Sequence, residues 1–407
     1  MNIYLKEVRN KRILKDIFIA GSKSESNRML ILQKLFDNIT IQNLSDSDDT
    51  HHLQKALSSS EQNINIGHAG TAMRFLTAYF ATQKNKVVVL SGSERMHNRP
   101  IKILVDALKD LGADISYQLK EGYPPLRITG KELTKTSVQI NGNTSSQYIS
   151  ALLLIASSLP EGLSIELLGK ITSIPYIEMT LSLLNQLGIE TSFKNQMIQV
   201  KPIHDLEQKR IMIESDWSSA SYFYSIIALS EIGSEIRLSS YKKESLQGDS
   251  ALAEIYEFFG VKTVFEDHSI LLKKVAKPEN KNLSLDLNKA PDIAQTISVT
   301  CFGLGVSCEL TGLHTLKIKE TDRLEALQKE LTKLGATIFV TSDDLRLSVS
   351  SKINSNVSIE TYNDHRMAMA FAPLAMRTSI EILDADVVTK SYRNFWKDLQ
   401  QIGFEAN

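Results

Sequence analysis

The sequence predicts an α/β protein built as two domains of three repeating units each. Three observations carry that reading. A chain of 407 residues is too long for one comfortable hydrophobic core. An amphipathic helix followed by a glycine and a short alternating strand recurs along it. A second, more apolar helix, opening on small or polar residues, falls between successive copies in strict alternation.

The recurring segment appears as ILVDALKDLGADISY from Ile103, LSLLNQLGIETSF from Leu181 and LAEIYEFFGVKTVF from Leu252. It returns as LEALQKELTKLGATIFV from Leu324 and FWKDLQQIGFEA from Phe395. Leu324, Leu327, Leu331 and Leu334 share one helical face. Gly112, Gly188, Gly260, Gly335 and Gly403 recur at roughly 70–75 residues, each placed to end its helix. A degenerate sixth copy, DTHHLQKALSSS from Asp49, lacks the glycine. The apolar helices are SKSESNRMLIL, AGTAMRFLTAYF, TSSQYISALLLIA, DWSSASYFYSIIAL, APDIAQTISVTCF and NDHRMAMAFAPLA. Short strands such as KVVVLSG, PLRIT, SVQI, LSIELLG and MIQV fill the gaps. The expected division is residues 21–213 as one domain, with residues 1–20 and 214–407 as the other. The strand before Gly21 is expected to pair with the second domain.

Composition excludes several classes. At 42% hydrophobic and 23% charged residues the chain is ordinary for a globular protein. Lys and Arg number 46 and Asp and Glu 47, a net charge of −1, which argues against a nucleic-acid or membrane-surface binder. The N-terminal stretch lacks a signal-peptide core, and the longest apolar run, ALLLIA, is too short to span a bilayer. The two cysteines, Cys301 and Cys308, lack metal-ligand spacing and are expected as buried reduced thiols of a cytoplasmic protein. His51 and His52 are expected to be exposed rather than metal-binding.

Chemistry collects at the starts of the apolar helices. GSKSESNR places Lys23, Ser24 and Arg28 there, GHAGTAMR places Gly70 and Arg74, NTSSQ places Ser145, Ser146 and Gln147, and DHR places Arg366. Helix N-termini offer free N–H groups and partial positive charge, so arginines beside them suit an anion site. Ser and Thr alone serve as ordinary N-caps, and an arginine can snorkel off a core helix. KIKETDRLEAL adds Lys319, Glu320 and Arg323, and SERMHNRPI adds Arg99.

In order over nearly the whole chain, GSKSESNR, AGTAMR, SSQYISALL, IPYIEMTL, SSASYF, KETDRL and DHRMAM resemble the 5-enolpyruvylshikimate 3-phosphate synthase family of enolpyruvyl transferases. The resemblance implies two domains, each of three βαβαββ units with pseudo-threefold symmetry, with the helix starts facing a cleft between them. It implies transfer of the enolpyruvyl group of phosphoenolpyruvate to shikimate 3-phosphate, with release of phosphate. Carried over by motif, Lys23, Ser24, Arg28, Ser145, Ser146, Gln147, Ser173, Asp292 and Lys319 are expected to meet shikimate 3-phosphate, with Tyr176 alongside. Lys23, Gly70, Arg99, Gln147, Arg323, Arg366 and Lys390 are expected to hold phosphoenolpyruvate. Two positions depart from the family pattern, His68 where Asn is common and Phe75 where Pro is common. The role of an Asn that aligns near Thr315 is not carried over.

Both substrates are polyanions, so the site must supply positive charge. Addition then elimination needs a base for the attacking hydroxyl and an acid/base at the methylene carbon. Asp292 is assigned to the hydroxyl and Glu320 to the methylene, with Lys23 a competing proton donor. No cofactor or metal is expected, no nucleic-acid or membrane partner, and a monomer. A sister transferase acting on a UDP-amino sugar typically uses a loop cysteine, whereas Cys301 and Cys308 lie in an apolar segment. A non-catalytic anion- or RNA-binding module explains the arginines but not Asp292 and Glu320 among them.

Overall fold

A computed structural model describes residues 1–171 and 174–406. The chain forms two compact units: unit 1 comprises Met1–Ala20 and Glu214–Asn407, and unit 2 comprises Gly21–Ile213. Among the described residues there are twelve α-helices. Unit 2 holds α1 (Lys23–Leu35), α2 (Asp48–Ser58), α3 (Gly70–Thr82), α4 (Lys102–Asp110), α5 (Ser146–Ala156) and α6 (Ile174–Gln186). Unit 1 holds α7 (Trp217–Leu229), α8 (Leu252–Ile255), α9 (Ala294–Leu304), α10 (Arg323–Lys333), α11 (His365–Phe371) and α12 (Phe395–Gln401).

The odd-numbered helices are the apolar set and the even-numbered ones the amphipathic set. Every residue of α7 except Ser218 is buried, and every residue of α5 except Gln147. Burying a large apolar side chain contributes about 1.5–3 kcal/mol, so helices of this kind anchor each core. Asp216 starts α7 by accepting the Ser219 N–H at 2.9 Å. Helix α10 buries Leu324, Leu327 and Leu331 and turns Lys329 outward.

Each complete repeat is strand, helix, strand, helix, strand, strand. In unit 2, Asn63–Asn65 pairs parallel with Val87–Ser91, which pairs antiparallel with Leu126–Thr129, which pairs antiparallel with Asp114–Tyr117. Ser137–Asn141, Leu163–Leu168, Met197–Val200 and Thr191–Lys194 repeat that order. The third repeat is cut to Lys209–Met212 parallel to Ile39–Gln42, joining the two ends of the unit. Unit 1 has the full pattern twice. Leu14–Ile17 leads the first, pairing parallel with Glu235–Ser239, and Asn282–Asp286 leads the second, pairing parallel with Ser307–Thr311. Its third repeat keeps Val357–Ile359 parallel to Ile380–Ile382, with Ile3–Leu5 antiparallel on the far side. Consequently the chain leaves unit 1 after Ala20 and returns at Glu214.

The third copy of the amphipathic segment departs from the sequence expectation. Only Leu252–Ile255 is α-helical, and Tyr256–Phe259 tightens to a 3₁₀ turn. In such a turn residues three apart line up. Tyr256 and Phe259 are both fully buried, with ring centroids 5.0 Å apart, and Tyr256 also packs on Tyr224. Aromatic packing has overridden helical continuation here. Cys301 and Cys308 are buried free thiols, and burial pushes the Cys301 thiol well up. His51 is exposed and His52 half-buried, its ring edge-on to His68 at 5.9 Å. No described helix is long and apolar enough to cross a membrane.

All five expected helix-ending glycines have positive φ, from 71° at Gly260 to 105° at Gly112. Their surroundings differ. A Cβ at Gly260 would lie 2.1 Å from the Ala276 carbonyl oxygen, whereas one at Gly403, in the same unit, meets nothing within 4 Å. Gly403→Ala is therefore expected to cost about 1–2 kcal/mol from backbone conformation alone, and Gly260→Ala more than about 3 kcal/mol. Urea unfolding of the two variants checks this; equal losses would contradict it.

Candidate active site

In unit 2 three helix starts carry the candidate residues. Lys23 opens α1 after Ser22, and its ammonium lies 3.4 Å from Asp49 at the start of α2. The other oxygen of Asp49 is 3.9 Å from His68 Nε2. Gly70 opens α3, and the absence of a side chain there is required: a Cβ would stand 2.3 Å from Arg99 Nη1. The half-buried Arg99 guanidinium thus rests on the start of α3, with no hydrogen bond or ion pair to any described residue. Ser145 caps α5 by accepting the Gln147 N–H at 3.4 Å, and Gln147 Nε2 donates to Thr71 Oγ1 at 3.2 Å. Ser146 is buried and Ser24 half-buried. Ser173 lies outside the described residues.

Two of the arginines of unit 2 are interior. Arg28 is 3% exposed; it donates to Thr180 Oγ1 at 2.8 Å, to the Ser24 carbonyl at 2.8 Å and to Ser150 Oγ at 3.0 Å. Its guanidinium lies over the rings of Phe75 and Tyr176. Burial lowers its pKa to about 10. Arg74 donates to the carbonyls of Gly70 at 3.0 Å and Pro100 at 2.9 Å, bracketing Arg99. Burial, with repulsion from Arg99, lowers Arg74 to about 10.

In unit 1 the organising group is Arg323, the first residue of α10 and only 2% exposed. Nε donates to Asp364 at 2.6 Å, Nη1 to Asp292 at 2.8 Å and Nη2 to Glu320 at 2.7 Å. Asp292 also lies 3.4 Å from Lys319 and 3.4 Å from Arg366. Arg366 donates to the Asp292 carbonyl at 3.2 Å and to Ser218 Oγ at 3.1 Å. Ser218 in turn donates to the buried Asp249. Asp364 caps α11 by accepting the Arg366 N–H at 2.8 Å. Lys390 donates to the Asn363 carbonyl at 2.6 Å.

The two sets differ electrically. In unit 2 the cations Lys23, Arg28, Arg74 and Arg99 outnumber the acids beside them: Asp49 pairs with Lys23, and the buried Glu25 acts on Arg28. In unit 1, Lys319, Arg323 and Arg366 are matched by Asp292, Glu320 and Asp364, with Asp249 behind Arg366. Burial alone would push the Asp292 carboxyl up, but Lys319, Arg366 and Arg323 hold it well below the usual carboxylate range. For Asp249 burial wins over Arg366 and pushes the carboxyl up to about 6. A cavity of about 670 Å³ in unit 1, lined by Gln328, Lys329, Thr332, Lys333, Glu360 and Tyr362, includes none of these cations. The ion-pair geometry, not that cavity, defines the site.

Sequence reasoning placed Lys23, Arg323, Arg366, Asp292 and Glu320 among the candidates but missed Asp364, Asp249 and Asp49 beside them. Asp364 stood beside Arg366 in the same motif, and its N-cap position was a usable signal. Asp49 lies in the first turn of α2, inside the degenerate sixth copy, and Asp249 in the 3₁₀ turn Gly248–Ala251; neither stretch carried a chemical motif. No group of three His, Cys, Asp or Glu side chains among the described residues is arranged to hold a metal ion.

Comparison with known proteins agrees across the chain. A family model described as EPSP synthase (3-phosphoshikimate 1-carboxyvinyltransferase) matches residues 52–399. A 3-phosphoshikimate 1-carboxyvinyltransferase of Bacteroides fragilis is 46% identical over 395 residues, covering 95% of each chain. One of Mannheimia haemolytica is 35% identical over 425 residues, covering 96% of this chain and 97% of that one. The solved EPSP synthase of Acinetobacter baumannii shares the fold, with a TM-score of 0.82, 20% identity and full coverage of both chains. The enolpyruvyl transferase NikO of Streptomyces tendae shares it at a TM-score of 0.73 and 13% identity, covering 100% of this chain and 98% of that one. The chain belongs to the EPSP synthase (3-phosphoshikimate 1-carboxyvinyltransferase) family.

Proposed function

We infer that this chain transfers the enolpyruvyl group of phosphoenolpyruvate to the 5-hydroxyl of shikimate 3-phosphate and releases phosphate, a step of aromatic amino acid biosynthesis by way of chorismate. Family membership carries the reading. The mixture of carboxylates with cations around Arg323 supports it, because addition–elimination needs proton carriers as well as anion binders. In the addition, the 5-hydroxyl oxygen bonds to the central carbon of phosphoenolpyruvate while the methylene carbon takes a proton. In the elimination, the bond to phosphate breaks and the new methyl group gives a proton back.

In unit 2, Lys23, Ser24, Arg28, Ser145, Ser146 and Gln147 are assigned to shikimate 3-phosphate, with Ser173. Lys23, Gly70, Arg99 and Gln147 are assigned to phosphoenolpyruvate. Arg99 suits this best, since its guanidinium has no competing partner among the described residues and anion binding displaces nothing. Arg28 acts mainly from within, since most of its donors are engaged.

In unit 1, Asp292 and Lys319 are assigned to the reacting hydroxyl. Glu320 is assigned to the methylene carbon, and Arg323, Arg366 and Lys390 to phosphoenolpyruvate. A substrate anion arriving at Arg323 competes with carboxylates already there. It weakens their hold on the guanidinium and raises their proton affinity, turning ion-pair partners into bases. Asp292, lowered in the free protein, then regains the capacity to accept the hydroxyl proton. The reading takes a cytoplasmic monomer working without cofactor, with side chains for both proton transfers.

Phosphate release on mixing the protein with both substrates, and with neither alone, tests the activity. Asp292→Asn is expected to cut turnover by about a hundredfold or more while changing either KM only a few-fold. Equal losses in turnover and affinity would remove Asp292 from proton transfer. A second outcome concerns protons. Asp249, at about 6, is largely ionised at pH 7 in the free protein. An anion bound at Arg366 removes part of the field that favours the ionised form, so its pKa rises and protons are taken up. Calorimetry of phosphoenolpyruvate binding at pH 6.5–7 in buffers of different ionisation enthalpy should show more proton uptake, or less release, in the unaltered protein than in Asp249→Asn. Proton exchange unaffected by that change, or shifted the other way, would contradict it.

A further inference from the structure

Tyr362 and Asn363 both have left-handed backbones, with φ of 52° and 57°. Asn tolerates that conformation, but Tyr does not adopt it without cost. Glycine at position 362 would relieve the strain and lose only the side chain. That side chain reaches into α10: Tyr362 Oη donates to Glu330 Oε1 at 2.6 Å. Glu330 is fully buried, and its other oxygen accepts the Glu360 N–H at 3.1 Å and pairs with Lys333 at 2.7 Å. On the opposite side of the turn, Lys390 donates to the Asn363 carbonyl at 2.6 Å. The next residue is Asp364, fully buried, which holds Arg323 and caps the helix that carries Arg366.

Helix α10 therefore grips the Glu360–Asp364 segment at two points. Its first residue, Arg323, takes Asp364, and Glu330, two turns later, takes Tyr362 and Glu360. We propose that Tyr362 is a positioning residue for anion binding, acting through Asp364 on Arg323 and Arg366; this rests on the reading of those arginines as phosphoenolpyruvate contacts. A strained turn persists only where its surroundings over-determine it. Once the Tyr362–Glu330 bond is removed, the turn relaxes toward ordinary backbone and Asp364 leaves its place. Arg323 then loses its shortest ion pair and swings toward Asp292 and Glu320, while Arg366 loses the cap that fixes its helix start. The dependence on Tyr362 grows when substrate draws Lys390 away from the Asn363 carbonyl.

The test uses the full chain and steady-state phosphate release with both substrates. Tyr362→Phe should raise the KM for phosphoenolpyruvate about five- to tenfold and leave that for shikimate 3-phosphate unchanged within about twofold. A merely structural role would not move one KM selectively. In an Asp364→Asn background the same change should have little further effect, because both act through one group. Should Tyr362→Phe fail to fold, Glu330→Gln keeps an acceptor but replaces a charge-assisted bond with a weaker neutral one. It should show the same selective rise at about threefold. An unchanged KM for phosphoenolpyruvate in either folded variant, or a full additional effect in the Asp364→Asn background, overturns the proposal. Absence of phosphate release from the unaltered protein would instead overturn the functional reading on which it rests.

Discussion

One guanidinium shared by three carboxylates is the constraint on which the chemistry of unit 1 depends. Arg323 stands at the first position of a helix, where the N-terminal dipole disfavours positive charge, and is almost wholly buried. It is stable there because Asp364, Asp292 and Glu320 each sit within 2.8 Å of one of its nitrogens. Removing one partner of such a buried pair typically costs about 3–5 kcal/mol, since a charge is left uncompensated. Arg366 solves the same problem with the same means, drawing on Asp292 at 3.4 Å and on the nearby Asp249.

That arrangement changes what anion binding means. A site of bare cations would bind phosphate and carboxylate strongly but offer no carboxylate to carry a proton. Under the proposed function, this neutralised cluster would bind an anion by partner exchange, and the displaced carboxylates would gain proton affinity as the hydroxyl loses its proton. Unit 2 differs: Arg99 rests on Gly70 with no acidic partner among the described residues, and Arg28 and Arg74 lie in the interior. Arg74 ties the start of α3 to the Pro100 turn and so fixes the place of Arg99.

Much of the architecture was legible in the sequence because it is periodic. The five glycines mark left-handed helix ends, and the alternation of apolar and amphipathic helices survives intact. The aromatic run Tyr256–Phe259 was not legible, because its 3₁₀ form reflects packing on Tyr224, distant in sequence. For the candidate site, residue types at helix starts pointed to Lys23, Arg28, Arg74 and Arg366, and the KETDRL motif to Arg323. Asp292 and Glu320 were named as proton carriers, but their contact with Arg323 was hidden. Asp292 meets Arg323 across 31 residues and Asp364 across 41, and nothing in local spacing announces either contact. Burial of Arg28 was equally silent, because Thr180 and Ser150 become its acceptors only after α1, α5 and α6 pack.

The central interaction is open to direct observation. Carbon-detected NMR titration of the aspartate carboxyls, with Asp292 assigned by its absence in Asp292→Asn, follows that group through acid. Held by Lys319, Arg366 and Arg323, the Asp292 carboxyl should stay ionised at every pH at which the unliganded protein remains folded. A titration midpoint near the ordinary aspartate value of about 3.9, or above it, would contradict the shared-guanidinium cluster.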